Sequence, residues 1–305
     1  MSPAIAMSGV TKVYGGKIAL DHVDWQVQAG SIHGLIGANG AGKTTLLRLA
    51  LGTLWPDRGR IEVLGQQLGI ENAALRQKVH YVATGRPLPV HFRVGEWLHY
   101  MERLYKRWDA ERAKRLLGAM EMDVKALIRS LSSGQQASLQ LAGAIAARPE
   151  LLLLDEPTNG MDLVVKRQVL QLMMDMAAAE GTTMVLATHN IEDVERLADS
   201  LSILYRGRFV LDGSVDSLKT HMHRLQVVTG SRWSDTLFDN PQIAHVENRG
   251  QVALVTVEGP AEPLMAHFRA AGALLVEPID IDLAEIFRLV LEKEGYSREA
   301  VAWDA

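Results

Sequence analysis

One stretch of the chain limits its fold more than any other: Gly37-Ala38-Asn39-Gly40-Ala41-Gly42-Lys43-Thr44, followed by Thr45. It fits the pattern G-x-x-x-x-G-K-[ST], a glycine-rich loop between a strand and a helix. The glycines let consecutive backbone N–H groups curl into an anion-binding nest, and the following helix aims its positive end at the same point. Lys43 supplies a point charge for the β- and γ-phosphates of a nucleoside triphosphate, and Thr44 supplies a hydroxyl for Mg²⁺. The flanks agree with this reading. Ile32-His33-Gly34-Leu35-Ile36 is expected to be a buried strand, and residues 45–51 open an amphipathic helix.

Such a loop needs a carboxylate for the metal and a device for the attacking water. Residues 151–154 are all leucine, as expected of a parallel strand buried on both faces, and they end in Asp155-Glu156. An Asp at such a strand end helps hold Mg²⁺ in phosphate-loop ATPases. A second carboxylate directly after it is the natural general base for water.

Leu131-Ser132-Ser133-Gly134-Gln135 resembles the L-S-G-G-Q signature of ABC-transporter ATPases. Asp155-Glu156-Pro157-Thr158-Asn159-Gly160-Met161-Asp162 is similar to that family's Walker B segment joined to its D-loop. Thr188-His189, after the apolar run 184–187, resembles the switch histidine. Tyr14 stands where the family places an adenine-stacking ring. The motifs come in the family's order, and the resemblance runs from about residue 5 to about residue 218. It implies Lys43, Glu156 and His189 as catalytic residues and Thr44 and Asp155 at Mg²⁺. Tyr14, residues 37–45, Ser132, Ser133, Gly134, Gln135 and Asp162 are implied as nucleotide contacts. In the family the signature closes over ATP held by a second subunit. With one phosphate loop and one signature, this chain is expected to work as a dimer, a homodimer in preference to a heterodimer.

Departures from the family pattern are also visible. Thr84 aligns with a glutamine that normally reaches Mg²⁺ or the attacking water and links ATP to the membrane subunit; the shorter Thr84 is expected to act through a water, and the link is expected to loosen or to shift to neighbours such as Arg86 and His91. Ser133 replaces the first of the paired glycines. Gln136-Ala137-Ser138 follows where basic residues are usual, and Gly143 stands in place of an arginine.

Of the 305 residues, 48% are hydrophobic and 22% charged, which excludes a disordered chain. The net charge is −4 and no long basic run appears, so no nucleic-acid partner is expected. With no cysteine there is neither a disulfide nor a thiolate metal site. The N-terminus lacks the charged and apolar regions of a signal peptide. No stretch reaches the roughly 18 apolar residues of a spanning helix; residues 139–147 are the nearest approach, so another chain must supply any membrane span.

Short strands alternate with turns up to about residue 64. Residues 90–148 read as helical and charged, and strands at 151–154, 184–187 and 202–205 alternate with helices, which implies parallel pairing. The composition shifts after residues 217–221. Strands at 225–229, 243–247, 252–258 and 274–277, with helices at 231–238 and 261–271, give the order βαββαβ of a ferredoxin-like unit. Gly250 turns the middle hairpin. A last helix at 283–294 carries Leu283, Ile286, Phe287 and Leu291 at helical spacing. The expectation is an α/β phosphate-loop NTPase of ABC ATPase type, with a mixed-sheet core, an antiparallel β subdomain and a helical subdomain. It spans residues 1–220, and a small α+β C-terminal domain spans 221–305.

The implied function is ATP binding and hydrolysis for a separate membrane permease, for export, at the inner face of the cell membrane. The alternatives are a soluble ABC-type ATPase acting on nucleic acid or the ribosome, and an ATP-binding regulator with little turnover.

Overall fold

Continuous apolar runs become parallel strands in the computed structural model, which describes residues 2–68, 73–83, 88–230 and 235–295. Thr84 and Arg86 lie outside the described residues. The chain divides into two units, Met1–Phe209 and Val210–Ala305.

The first unit begins with the hairpin β1 (Pro3–Tyr14) and β2 (Lys17–Gln28), then β3 (Ile32–Ile36) and, after the glycine loop, α1 (Lys43–Ala50). β4 (Arg58–Val63), β5 (Gln66–Gln67), α2 (Ala73–Arg76) and β6 (Val79–Ala83) follow. Helices α3 (Val94–Leu104), α4 (Ala110–Ala119) and α5 (Ser133–Ala146), with a 3₁₀ turn at Ile128–Ser130, come between β6 and β7 (Leu151–Asp155). Then α6 (Leu163–Glu180), β8 (Thr183–Thr188), α7 (Ile191–Leu197) and β9 (Ser200–Tyr205) alternate, and β10 (Arg208–Ser214) leads out of the unit.

These strands form an antiparallel sheet ordered β2-β1-β4-β5 and a six-stranded sheet ordered β10-β9-β3-β8-β7-β6. β3 pairs in parallel with β8 and β9, and β7 with β6 and β8. Every residue of β3, β7 and β8 is buried, as strands covered on both faces must be. One apolar core joins the two sheets through Trp25, Leu35, Leu46, Leu151, Leu153 and Val185. A second core, built on Val94, Trp97, Leu117, Ile128 and Leu139, holds the helical region together.

Two histidines are buried in this unit. His33 Nδ1 lies 2.7 Å from Ser200 Oγ and its Nε2 2.7 Å from Ser202 Oγ. Burial pushes the His33 and His80 pKa values down to about 4 each, so both rings are neutral in the fold.

The second unit opens with α8 (Val215–His221) and β11 (Met222–Val228). β12 (Ile243–Arg249), β13 (Val252–Glu258), α9 (Glu262–Ala270), β14 (Leu275–Ile279) and α10 (Leu283–Lys293) complete it. The sheet order is β12-β13-β11-β14 with every pair antiparallel, the order of a ferredoxin-like sheet. Leu225 and Val227, Ala253, Val255 and Val257, and Val276 pack with Leu264 and Phe268 of α9. The period of two along each strand sets that face.

Of the first crossover, expected as a helix at 231–238, only part is described. Its described part is a short 3₁₀ segment, Asp235–Phe238, and residues 231–234 lie outside the described residues. Asp239, Asn240 and Pro241 follow at once, and this turn-forming run ends any helix there.

Candidate active site

The parallel register builds the site. Ile36 pairs with Thr188, Asp155 with Ala187, and Ala83 with Asp155, so the carboxyl ends of β3, β6, β7 and β8 lie along one sheet edge. Ligands of open parallel sheets bind at that edge. The glycine loop leaves from β3, Asp155-Glu156 ends β7, and Thr188-His189 ends β8.

Thr44 Oγ1 donates to Asp155 Oδ2 at 2.7 Å. Two hard oxygen donors in contact suit Mg²⁺, which takes one or two protein ligands and completes its shell with phosphate oxygens and water. Among the described residues no cluster of three or more His, Cys, Asp or Glu offers an all-protein cage.

Lys43 is 7% exposed; its Nζ donates to the Gly37 carbonyl at 2.6 Å and lies 3.8 Å from Glu156 Oε1. Burial pushes the Lys43 pKa down, against the pull of Glu156 and Asp155. Glu156 has φ +53°, a left-handed conformation that an L side chain rarely adopts and that concentrates at functional sites. Its N–H donates to Ala187 O at 2.8 Å. Its Oε2 accepts from Thr188 Oγ1 at 3.1 Å and lies 2.9 Å from His189 Nδ1. The carboxylate is thus aimed by two groups from the end of β8.

A cleft of about 350 Å³ joins these groups. Tyr14, Lys17, Ile18, Ala19, Ala38, Asn39, Gly40, Gly42, Lys43, Thr44, Thr45, Asp155 and Glu156 line it. Gly37 and Ala41 do not: the Gly37 carbonyl faces Lys43, and Ala41 is buried, accepting from the Gly207 N–H at 3.0 Å. Tyr14 is half exposed at the end of β1 with Lys12 Nζ 5.6 Å from its ring centroid, so a ring surface remains open for stacking.

The signature lies elsewhere in the unit. Ser132 caps α5: its Oγ accepts from the Gln135 N–H at 3.2 Å, and its own N–H donates to Gln135 Oε1 at 2.9 Å. Ser133 is the first residue of α5 and has no positive φ, so a glycine is not required there. Gly134 is required: a Cβ would lie 2.4 Å from Gly160 O, where α5 meets the turn after Glu156. Asp162 caps α6, accepting from the N–H groups of Val164 and Val165 at 3.0 Å each. Ser132, Gly134, Gln135 and Asp162 line a second cavity of about 200 Å³ that shares no described residue with the first.

The missing arginine at Gly143 has a steric reason. A Cβ there would lie 2.4 Å from Cη2 of Trp97, so the indole of α3 fills that space.

The structure also adds residues that motif reading missed. Thr158 Oγ1 donates to Asp193 Oδ2 at 2.9 Å, and Lys166 Nζ lies 2.9 Å from Asp193 Oδ1. This buried cluster ties the turn after Glu156 to α6 and α7. Tyr81 Oη donates to Asp155 Oδ2 at 3.0 Å. Its signal was a polar-tipped ring in a strand next to Asp155's own.

The ABC transporter family profile matches residues 20–159. A daunorubicin resistance ATP-binding protein of Streptomyces coeruleorubidus is 36% identical, over 74% of this chain and 73% of the relative. A Nod factor export ATP-binding protein of Rhizobium leguminosarum is 32% identical, over 96% of this chain and 97% of the relative. A solved ATP-binding subunit of an ABC transporter superposes with a TM-score of 0.67 at 26% identity, over 71% of this chain and 92% of that one.

Proposed function

The chain belongs to the family of ABC-transporter ATP-binding subunits, and on that premise we propose how its residues bind and hydrolyse ATP and what that work drives. Tyr14 stacks on the adenine. The loop amides and Lys43 hold the phosphates, Lys43 exchanging the Gly37 carbonyl for phosphate oxygen. Thr44 and Asp155 hold Mg²⁺, which neutralises phosphate charge when bound. Glu156 takes a proton from the attacking water, and His189 and Thr188 keep its carboxylate in place.

The observation that carries the rest is the separation of two half-sites. Ser132, Gly134, Gln135 and Asp162 share no cavity with Lys43, Thr44, Asp155 and Glu156. A second copy facing the first brings each signature onto the other's ATP, where the N-terminus of α5 serves as an anion ligand. ATP closes this homodimer and hydrolysis reopens it. No helix among the described residues is long and apolar enough to cross a membrane, so the motion works a separate permease from the cytoplasmic face. The names of the drug-resistance and Nod factor relatives favour export. The residue ranges 1–220 and 221–305 are taken as the ATPase domain and an accessory domain.

Glu156→Gln is the test. ATP binding is expected to persist while turnover falls by about 10²-fold or more, since a general base contributes roughly 10²–10⁴. Turnover equal to that of the parent chain removes Glu156 from the role of base.

A further inference from the structure

Asp155 is 8% exposed, and one of its oxygens, Oδ2, accepts two hydrogen bonds: from Thr44 Oγ1 at 2.7 Å and from Tyr81 Oη at 3.0 Å. The parallel register explains the reach. Ala83 lies opposite Asp155, and Tyr81 stands two residues earlier on the same face of β6, where a phenol is long enough to meet the carboxylate.

We propose that Tyr81 is a positioning residue that fixes the Asp155 carboxylate for Mg²⁺, and so sets how tightly the site holds the metal. The inference rests on the reading of Thr44 and Asp155 as the metal residues. The terminal torsion of an aspartate is broad, and two donors on one oxygen fix it. A phenol suits this task because it is neutral: it orients the carboxylate without cancelling the charge that attracts a cation, as a lysine or arginine in the same place would. The ordinary pKa of a phenol, about 10, keeps its hydroxyl a donor at neutral pH. Partners behind a metal ligand are worth roughly 10–100-fold in metal affinity. The competing view is that the ring, packed against the core of the first unit, is there for its apolar surface alone. Phenylalanine would then serve equally well.

Tyr81→Phe separates the two views without measuring turnover. ATP binding is titrated by calorimetry on the full chain, in chelator and across a Mg²⁺ series. The half-saturating Mg²⁺ concentration is expected to rise about 10-fold, at the low end of that range because Thr44 remains, with ATP binding in chelator unchanged. A Tyr81→Phe midpoint equal to the parent's, or a loss of ATP affinity of equal size with and without Mg²⁺, overturns the proposal. If Tyr81→Phe does not fold, Tyr81→Leu, which also lacks the hydroxyl, is titrated in its place, and a midpoint equal to the parent's overturns the proposal. A parent chain whose ATP binding ignores Mg²⁺ fails the metal reading itself, a result distinct from failure at Tyr81 alone.

Discussion

The C-terminal unit and the cleft of the first unit use charge in opposite ways. In the C-terminal unit ion pairs are closed among themselves. Arg224 meets Glu247 at 3.1 Å, Arg249 meets Glu247 at 2.7 Å, and Arg288 reaches Glu285 at 2.6 Å and Glu292 at 2.7 Å. The Arg249 hydrogen bond holds the Glu247 carboxyl below its usual range. Burial would raise Glu285, and Arg288 overrides it. In the first unit Lys43 is buried against a backbone carbonyl, 3.8 Å from its nearest carboxylate, with burial the largest influence on its pKa. Glu156 is held at a strained φ of +53°. Closed pairs hold a scaffold together. A charge held at a cost, on a strained backbone in a cleft, marks a place prepared for a ligand.

Lys43→Met gives the sharpest contrast. ATP binding and turnover are expected to be lost, yet unfolding without nucleotide should occur at the same temperature or higher, because a charge buried at a cost is removed. A clear fall in melting temperature would show that Lys43 is an ordinary structural ion-pair partner and break the contrast.

Lys166→Met should behave oppositely. It leaves Asp193, 3% exposed, without its cation, and breaking a buried pair costs about 3–5 kcal/mol. Denaturant unfolding checks this; a loss under about 1 kcal/mol would class the pair with surface salt bridges.

The buried histidines add a pH dependence. His33 and His80 have folded pKa values of about 4 against 6.5. Below pH 6.5 the unfolded chain takes up protons that the folded chain refuses. Stability present above pH 6.5 is therefore lost as pH falls toward 4, on the order of 3 kcal/mol for each ring. Removing both rings, as in His33→Gln with His80→Phe, should flatten that limb in unfolding measured from pH 7 to 4. An unchanged slope would place the protons elsewhere.

Arg288→Met closes the series. Its pairs lie at helical spacing and are partly exposed, so about 1 kcal/mol or less of stability is expected to go, with basal ATPase activity unchanged. A large loss of turnover would show that the C-terminal charges serve the reaction.

The parts legible in sequence were those where chemistry fixes residue types at fixed spacing. Residues 37–45 and 155–156 are contiguous, so the cleft could be read before it was seen. The C-terminal sheet was legible from alternation and from the turn at Gly250, which has φ +69°. What sequence did not reveal depends on register and distance. Alternation assigns Tyr81 a face but not the neighbour it bonds to. The Gly143–Trp97 contact joins helices far apart in the chain, so an absent arginine looked like a functional departure. The reciprocal cap of Ser132 with Gln135 emerges only once α5 has a defined start.

The most direct measurement is a structure of the Glu156→Gln chain with ATP and Mg²⁺. Two copies are expected around two nucleotides, with Ser132 and Gly134 of one copy within hydrogen-bonding distance, roughly 3 Å, of the γ-phosphate held by Lys43 of the other. A single chain that completes the ATP site with its own Ser132 and Gly134 would contradict the division of the site into two halves.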